Sequence, residues 1–310
     1  MLKQVIDIFE LLDAANVDGA TVKQFFLDHD HEKVEVKNIK GDTGSTDFIK
    51  IMFPGKSGKM RGGHSPTIGI IGRLGGIGAR PEKIGLVSDA DGAIAALSVA
   101  LKLVEMRKKG DELFGDVIVS THICPKAPTL KHKPVSFMGS PVDMKTMNEN
   151  EVDISMDAMI SIDTTKGNRI NNVRGFAITP IIKEGWILPI PEDVIDIFEV
   201  TTGKRANVLA ISTQDITPYG NGLYHINSIL QPSTATNASV LGVAITAETA
   251  VPGSSTGASH EIDISEACMF CIEIAKSFGN SMLEFFNPVE FETLKSLYGG
   301  MERLRGGGKL

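Results

Sequence analysis

The chain reads as an α/β protein, a three-layer α/β/α sandwich around a mostly parallel, mixed central sheet. Three observations predict it. Short apolar segments alternate with amphipathic helical ones, and no internal repeat interrupts the alternation. The chain has 310 residues and 33.3 kDa, enough to bury a large core. Nothing between its ends reads as a linker, so residues 1–310 are expected to form one domain.

The elements follow in order. Residues 2–14 carry an apolar stripe at Val5, Ile6, Phe9 and Leu12, a helix. Asn16-Val-Asp-Gly19 breaks it, and 20–27 reads as a second helix. Residues 33–39 alternate as a strand, Gly41-Asp-Thr-Gly-Ser turns, and 47–53 is the returning strand. Residues 54–66 are rich in Gly, Lys and Arg and read as an exposed loop that holds His64. The stretch 67–107 organises the rest: a strand Thr67-Ile-Gly-Ile-Ile-Gly, a glycine-rich loop to Ile84, a second short strand ending on Asp89, then a helix opened by Asp91 and Gly92. Residues 116–121 form a strand that runs straight into His122-Ile-Cys124-Pro. Residues 126–151 are polar and hold several prolines, so they read as a long functional or mobile loop. Residues 157–163 are a buried strand, and 176–182 and 186–190 are short strands around Lys-Glu-Gly. Pro191 opens a helix to about Thr202. Residues 207–212 read as a strand, 213–221 as a polar loop, 223–230 as a helix and 239–246 as a strand. Residues 252–259 are a loop of small residues, 261–278 a helix and 305–310 a flexible tail.

Composition narrows the function. Hydrophobic residues make up 42% and charged residues 22%, the profile of a globular rather than a disordered chain. The net charge of −7 and pI near 5.6, with scattered positive groups, argue against nucleic acid as a partner. No basic N-terminal segment precedes an apolar run, and no apolar run reaches about 18 residues, so neither a leader nor a membrane span is expected. The expected location is therefore cytoplasmic. Cys268 and Cys271 form C-x-x-C inside an expected helix rather than at its start, where the dipole would activate a thiol, so they read as core.

Chemistry gathers where strands end. Asp89 ends one strand, His122 follows another, Asp163 ends a third, and His260 stands at a loop-to-helix junction after a fourth. In a parallel sheet those ends share one rim, where open α/β sheets bind ligands. Two carboxylates and two imidazoles there make a candidate divalent-metal set, with donors suited to zinc or manganese. Taken singly, each has a plainer reading: Asp89 or Asp91 caps a helix, Asp163 caps a turn, His122 bonds to a loop, and His260 neighbours an N-cap. The loop Gly72-Arg-Leu-Gly-Gly-Ile-Gly78 is a rival nucleotide site, yet its spacing fits neither G-x-G-x-x-G nor G-x-x-x-x-G-K-[ST]. Ser254 and Ser255 lie in no G-x-S-x-G elbow.

The order of these landmarks resembles the zinc-dependent aminopeptidase superfamily, in particular its glutamyl and deblocking aminopeptidase branch. The resemblance rests on Gly41-Asp-Thr-Gly-Ser-Thr-Asp-Phe-Ile-Lys-Ile, on Thr67-Ile-Gly-Ile-Ile-Gly, on Asp89-Ala-Asp-Gly-Ala, on Asp163, and on Pro252 through Ser259-His260-Glu261. It implies a sandwich of the phosphorylase/hydrolase-like, zinc-exopeptidase type, with Asp89 as bridging ligand, Asp163 as a single-metal ligand and His260 as the last metal histidine. Homo-oligomers would be common. The chain also departs from the pattern. Arg73-Leu-Gly75 stands where the family has His-x-Asp, His122-Ile-Cys124 where it has paired glutamates, and Tyr224-His225 where it has threonine-aspartate. The lid domain is absent or reduced to 126–151, which suits a divergent family, a domain of unknown function on this fold.

Three functions follow. The first is a metal-dependent hydrolase of small peptide or amide substrates. In it Asp89, Asp163 and His260, with or without His122, hold zinc or manganese, and the metal lowers the pKa of a bound water. His122 or Asp91 acts as base, Arg73 clamps a substrate carboxylate and His225 makes a polar substrate contact. The second is a non-catalytic small-molecule or partner-binding descendant on the same fold. The third is a nucleotide binder resting on the Gly72 loop alone.

Overall fold

A computed structural model describes residues 1–73, 75–78, 85–211 and 227–301. Among the described residues the central sheet has nine strands. It is entered through helices α1 (Leu2–Asp13) and α2 (Gly19–Asp28), then the hairpin β1 (Val34–Gly41) and β2 (Gly44–Phe53). Next come β3 (Thr67–Gly72), α3 (Asp91–Lys108) and β4 (Asp116–Ile123). A small hairpin, β5 (Thr129–Leu130) with β6 (Phe137–Met138), and α4 (Met144–Glu151) precede β7 (Ala158–Thr164). Strands β8 (Gly175–Ile178), β9 (Ile181–Lys183) and β10 (Trp186–Leu188) lead to α5 (Glu192–Thr202). Strand β11 (Ser239–Thr246), α6 (Glu261–Gly279) and α7 (Pro288–Tyr298) complete the described elements.

The strand order is β1-β2-β4-β3-β7-β11-β9-β10, with β8 also pairing β11. The middle four, β4-β3-β7-β11, are parallel, and the flanks are antiparallel. The parallel centre is buried on both faces, which is why its sequence is almost uniformly apolar. Ile68, Ile70, Val117, Val119, Ile160 and Val243 face α1, α3, α5 and α6. Ile71, Ile118, Met159, Val240 and Ala244 face the opposite way, toward Met156, Leu209 and the 3-10 turn Ser228–Ala235. Helix α4 lies on that second face and touches β2, β4 and the same turn. The expected three layers are present, with an antiparallel border on a parallel core.

Helix α3 is buried around nearly its whole circumference, as a helix between a sheet and two other helices must be. Small residues let it approach. A Cβ on Gly72 would sit 2.3 Å from the Gly92 carbonyl oxygen, so β3 and α3 meet backbone to backbone. Acids at strand starts serve the scaffold. Asp116 accepts the Gly55 and Met60 amides, each at 2.8 Å, and Asp157 accepts the Thr67 amide at 2.8 Å, tying down the 54–66 loop.

Several sequence expectations give way. The second strand expected before Asp89 is an isolated bridge at Val87. Gly85 turns the chain at φ 99°, and the Leu86 amide donates to Asp13 Oδ1 at 2.5 Å instead of to a neighbouring strand. The strand expected at 207–212 is a single bridge at Val208, whose side chain faces solvent. The expected 176–182 strand breaks at Thr179-Pro180, where the proline has no amide to donate; the Thr179 hydroxyl accepts the Gly242 amide at 2.8 Å. Residues 227–230 enter a 3-10 turn rather than an α-helix, and 223–226 lie outside the described residues, as does the tail 305–310. The polar stretch 126–151 contains the β5–β6 hairpin and α4, and α7 was not anticipated. Among the described residues, no helix is long and apolar enough to cross a membrane.

Candidate functional site

The carboxyl ends of β3, β4, β7 and β11 lie side by side, and the loops that leave them build the site. The loop after β3 runs along the end of β4, where the Cys124 amide donates to the Gly75 carbonyl at 2.6 Å. Asp89 enters from the turn before α3. Its amide donates to the Gly253 carbonyl at 3.2 Å, and its half-buried carboxylate lies between two glycines. A Cβ on Gly76 would fall 3.6 Å from Asp89 Oδ2, and one on Gly253 would fall 3.2 Å from Oδ1. Met138 of the small hairpin packs against the same two glycines, which brings the hairpin beside Asp89.

Asp163, at the end of β7, is buried. Its Oδ1 accepts the Thr164 amide at 2.6 Å and its Oδ2 accepts the Ser228 hydroxyl at 2.8 Å. His260 occupies the N-cap position of α6 without capping it. Its side chain is 43% exposed, and Nδ1 lies 4.0 Å from Asp263 Oδ2. Asp91 is fully buried and does not cap α3; its Oδ2 pairs with Lys166 Nζ at 2.8 Å. Burial pushes the Asp91 carboxyl up from its ordinary pKa, against the pull of the Lys166 ammonium.

Arg73 and His122 meet at a residue the sequence reading passed over. Arg73 leaves the end of β3, is 2% exposed, and directs Nη1 at Glu151 Oε2. His122 Nδ1 lies 2.6 Å from the other oxygen, Glu151 Oε1. Glu151, at the last turn of α4, is 0% exposed. The Asn148 side-chain carbonyl accepts from Arg73 Nη1 at 2.8 Å, and Asn148 Nδ2 donates to the Thr234 hydroxyl at 3.3 Å. Arg73 Nη2 also lies 3.4 Å from Met144 Sδ. A low-dielectric interior demands such pairing, because an isolated buried charge is far costlier than a paired one. Arg73 is therefore not a surface clamp, and His122 is not an open base: both are neighbours of one buried carboxylate.

The resemblance implies a metal on this rim, and the donor set does not fit one. Among the described residues no group of three or more His, Cys, Asp or Glu side chains is placed to hold an ion. Asp89, Asp163, His260 and His122 form no such group. Asp91 and Glu151 each already carry a cation from the chain itself. His225, the other expected substrate contact, lies outside the described residues. Burial raises the Cys124 thiol, and a protonated thiol is a poor nucleophile. Two of the missed residues had weak signals in the sequence. Asp143-Met-Lys-Thr opens α4 as an N-cap, and Lys166 stands three places after Asp163.

Comparison with known proteins bears on the fold and on the family. No curated protein matches the sequence. The fold is similar to that of an Acidobacteriales bacterium glutaminyl cyclase crystal structure, with a TM-score of 0.51 at 10% sequence identity, covering 90% of this chain and 94% of that one. At that identity the likeness speaks for the fold, an α/β sandwich, and no further. A family profile, described as "Protein of unknown function (DUF1177)", matches residues 37–308. The chain belongs to that DUF1177 family.

Proposed function

We propose that the chain binds a small peptide or amide-bearing molecule on the rim at the ends of β3, β4, β7 and β11, without metal-dependent hydrolysis. The observation that carries this reading is Glu151, which holds the expected substrate clamp and the expected base together in one buried cluster. A general base must reach the proton it removes, and a substrate clamp must have donors to spare. At the rim, Asp89 lies beneath the small hairpin and His260 is half-exposed. The amide class comes from the aminopeptidase resemblance and suits a rim of hydrogen-bonding groups beside an apolar cover, Met138.

The second reading is a metal-dependent peptide or amide hydrolase. It is favoured by Asp89, Asp163 and His260 standing at successive strand and loop ends. One experiment separates the two. Thermal shift with amino-acid amides and N-acetylated dipeptides, run without added metal, is expected to give a saturable rise in Tm that Asp89→Ala weakens. Turnover of aminoacyl p-nitroanilides with zinc or manganese is expected to be absent. Metal-dependent turnover that Asp89→Ala abolishes would establish the hydrolase instead.

A further inference from the structure

We infer that the positive charge a metal would supply at these strand ends is supplied by two side chains of the protein, Arg73 and Lys166. The inference deepens the ligand-binding reading and rests on it for the place of the site.

Both cations come from the strand ends themselves. Arg73 is the residue after β3, and its amide donates to the Ile162 carbonyl of β7 at 2.8 Å. Lys166 follows β7 by two residues, beyond the Thr165 amide, which donates to the Ile245 carbonyl of β11 at 2.9 Å. Their side chains are 2% and 7% exposed. Each is matched to one carboxylate that is 0% exposed: Glu151 for Arg73 and Asp91 for Lys166. A buried carboxylate calls for a cation, and a metal ion and an ammonium or guanidinium are alternative answers to the same demand. Here the covalent answer is in place at Glu151 and Asp91, so a free metal meets these two carboxylates already neutralised. The guanidinium suits Glu151 in particular, because it donates to that carboxylate and to Asn148 at once.

The test uses the full chain and three proteins: wild type, Arg73→Met, and Arg73→Met with Glu151→Gln. Each is melted with a chelator and with added zinc. Wild type is expected to show the same Tm in both. Arg73→Met takes the guanidinium from Glu151 and leaves His122 on the other oxygen, and its Tm is expected to fall by roughly 10 °C. The double variant removes that charge and is expected to recover more than half of the loss. If Arg73→Met does not fold, a folded double variant supports the inference and an unfolded one overturns it. A zinc-raised Tm in wild type, or an Arg73→Met as stable as wild type, also overturns it. The amide titrations of the ligand-binding reading fail or succeed independently of all these results.

Discussion

At Glu151 one carboxylate answers two neighbours, Arg73 on one oxygen and His122 on the other. Neither partner could be assigned from its own position in the sequence. Arg73 follows a strand like many surface arginines, and His122 looks like a rim base. The residue that settles both lies 78 and 29 positions away along the chain, in a stretch whose polarity reads as loop. Sequence periodicity reports whether an element has a buried face, not which buried charge it delivers. The same limit applies to His31, which stacks on Phe53 with ring centroids 4.4 Å apart. Burial, with the Arg107 charge nearby, lowers the His31 pKa from 6.5 to about 4. Between those values the unfolded imidazole takes a proton that the native one refuses. Its contribution to stability is thus complete above about pH 6.5 and is lost progressively as pH falls toward about 4. Urea unfolding as a function of pH should show that decline, and His31→Phe should flatten it. An unchanged slope in the variant would assign the acid sensitivity to other groups.

At the scale of elements, α4 is the piece that brings the charge. Asp143 caps it: Oδ1 accepts the Thr146 amide at 2.9 Å and Oδ2 accepts the Thr146 hydroxyl at 2.8 Å. The hydrogen bond from the Thr146 amide holds the Asp143 carboxyl below its ordinary pKa. Asp143→Ala should cost about 1 kcal/mol in chemical denaturation, a typical cap value. It should also speed amide exchange along residues 144–151, because the helix is short and owes its order to the cap and to the cluster at its far end. Unchanged exchange there would show that the buried cluster alone holds the helix. The elements that were legible share one property, an apolar pattern long enough to leave no alternative. Strands β3, β4, β7 and β11 and helices α3, α5 and α6 are of this kind. Over their described residues, the strand expected to end on Asp89 and the one expected at 207–212 each reduce to a single bridge, at Val87 and Val208, and in the first the Leu86 amide is taken by Asp13.

For the whole molecule, the rim follows from topology. A sheet with a parallel centre gathers the carboxyl ends of its strands on one side, and His122 and Asp163 stand near two of those ends. What they do there could not be read, because the pairing depends on α4 and on Lys166. Two internal ion pairs, Arg73 with Glu151 and Lys166 with Asp91, place positive charge of the protein's own at these strand ends. The most direct test is the metal content of the full chain, purified without a metal-affinity tag, measured by inductively coupled plasma mass spectrometry beside its Tm before and after chelation. The account predicts zinc and manganese well below one per chain, and a Tm that chelation leaves unchanged. One tightly held zinc or manganese per chain, with a Tm that falls when it is removed, would contradict it.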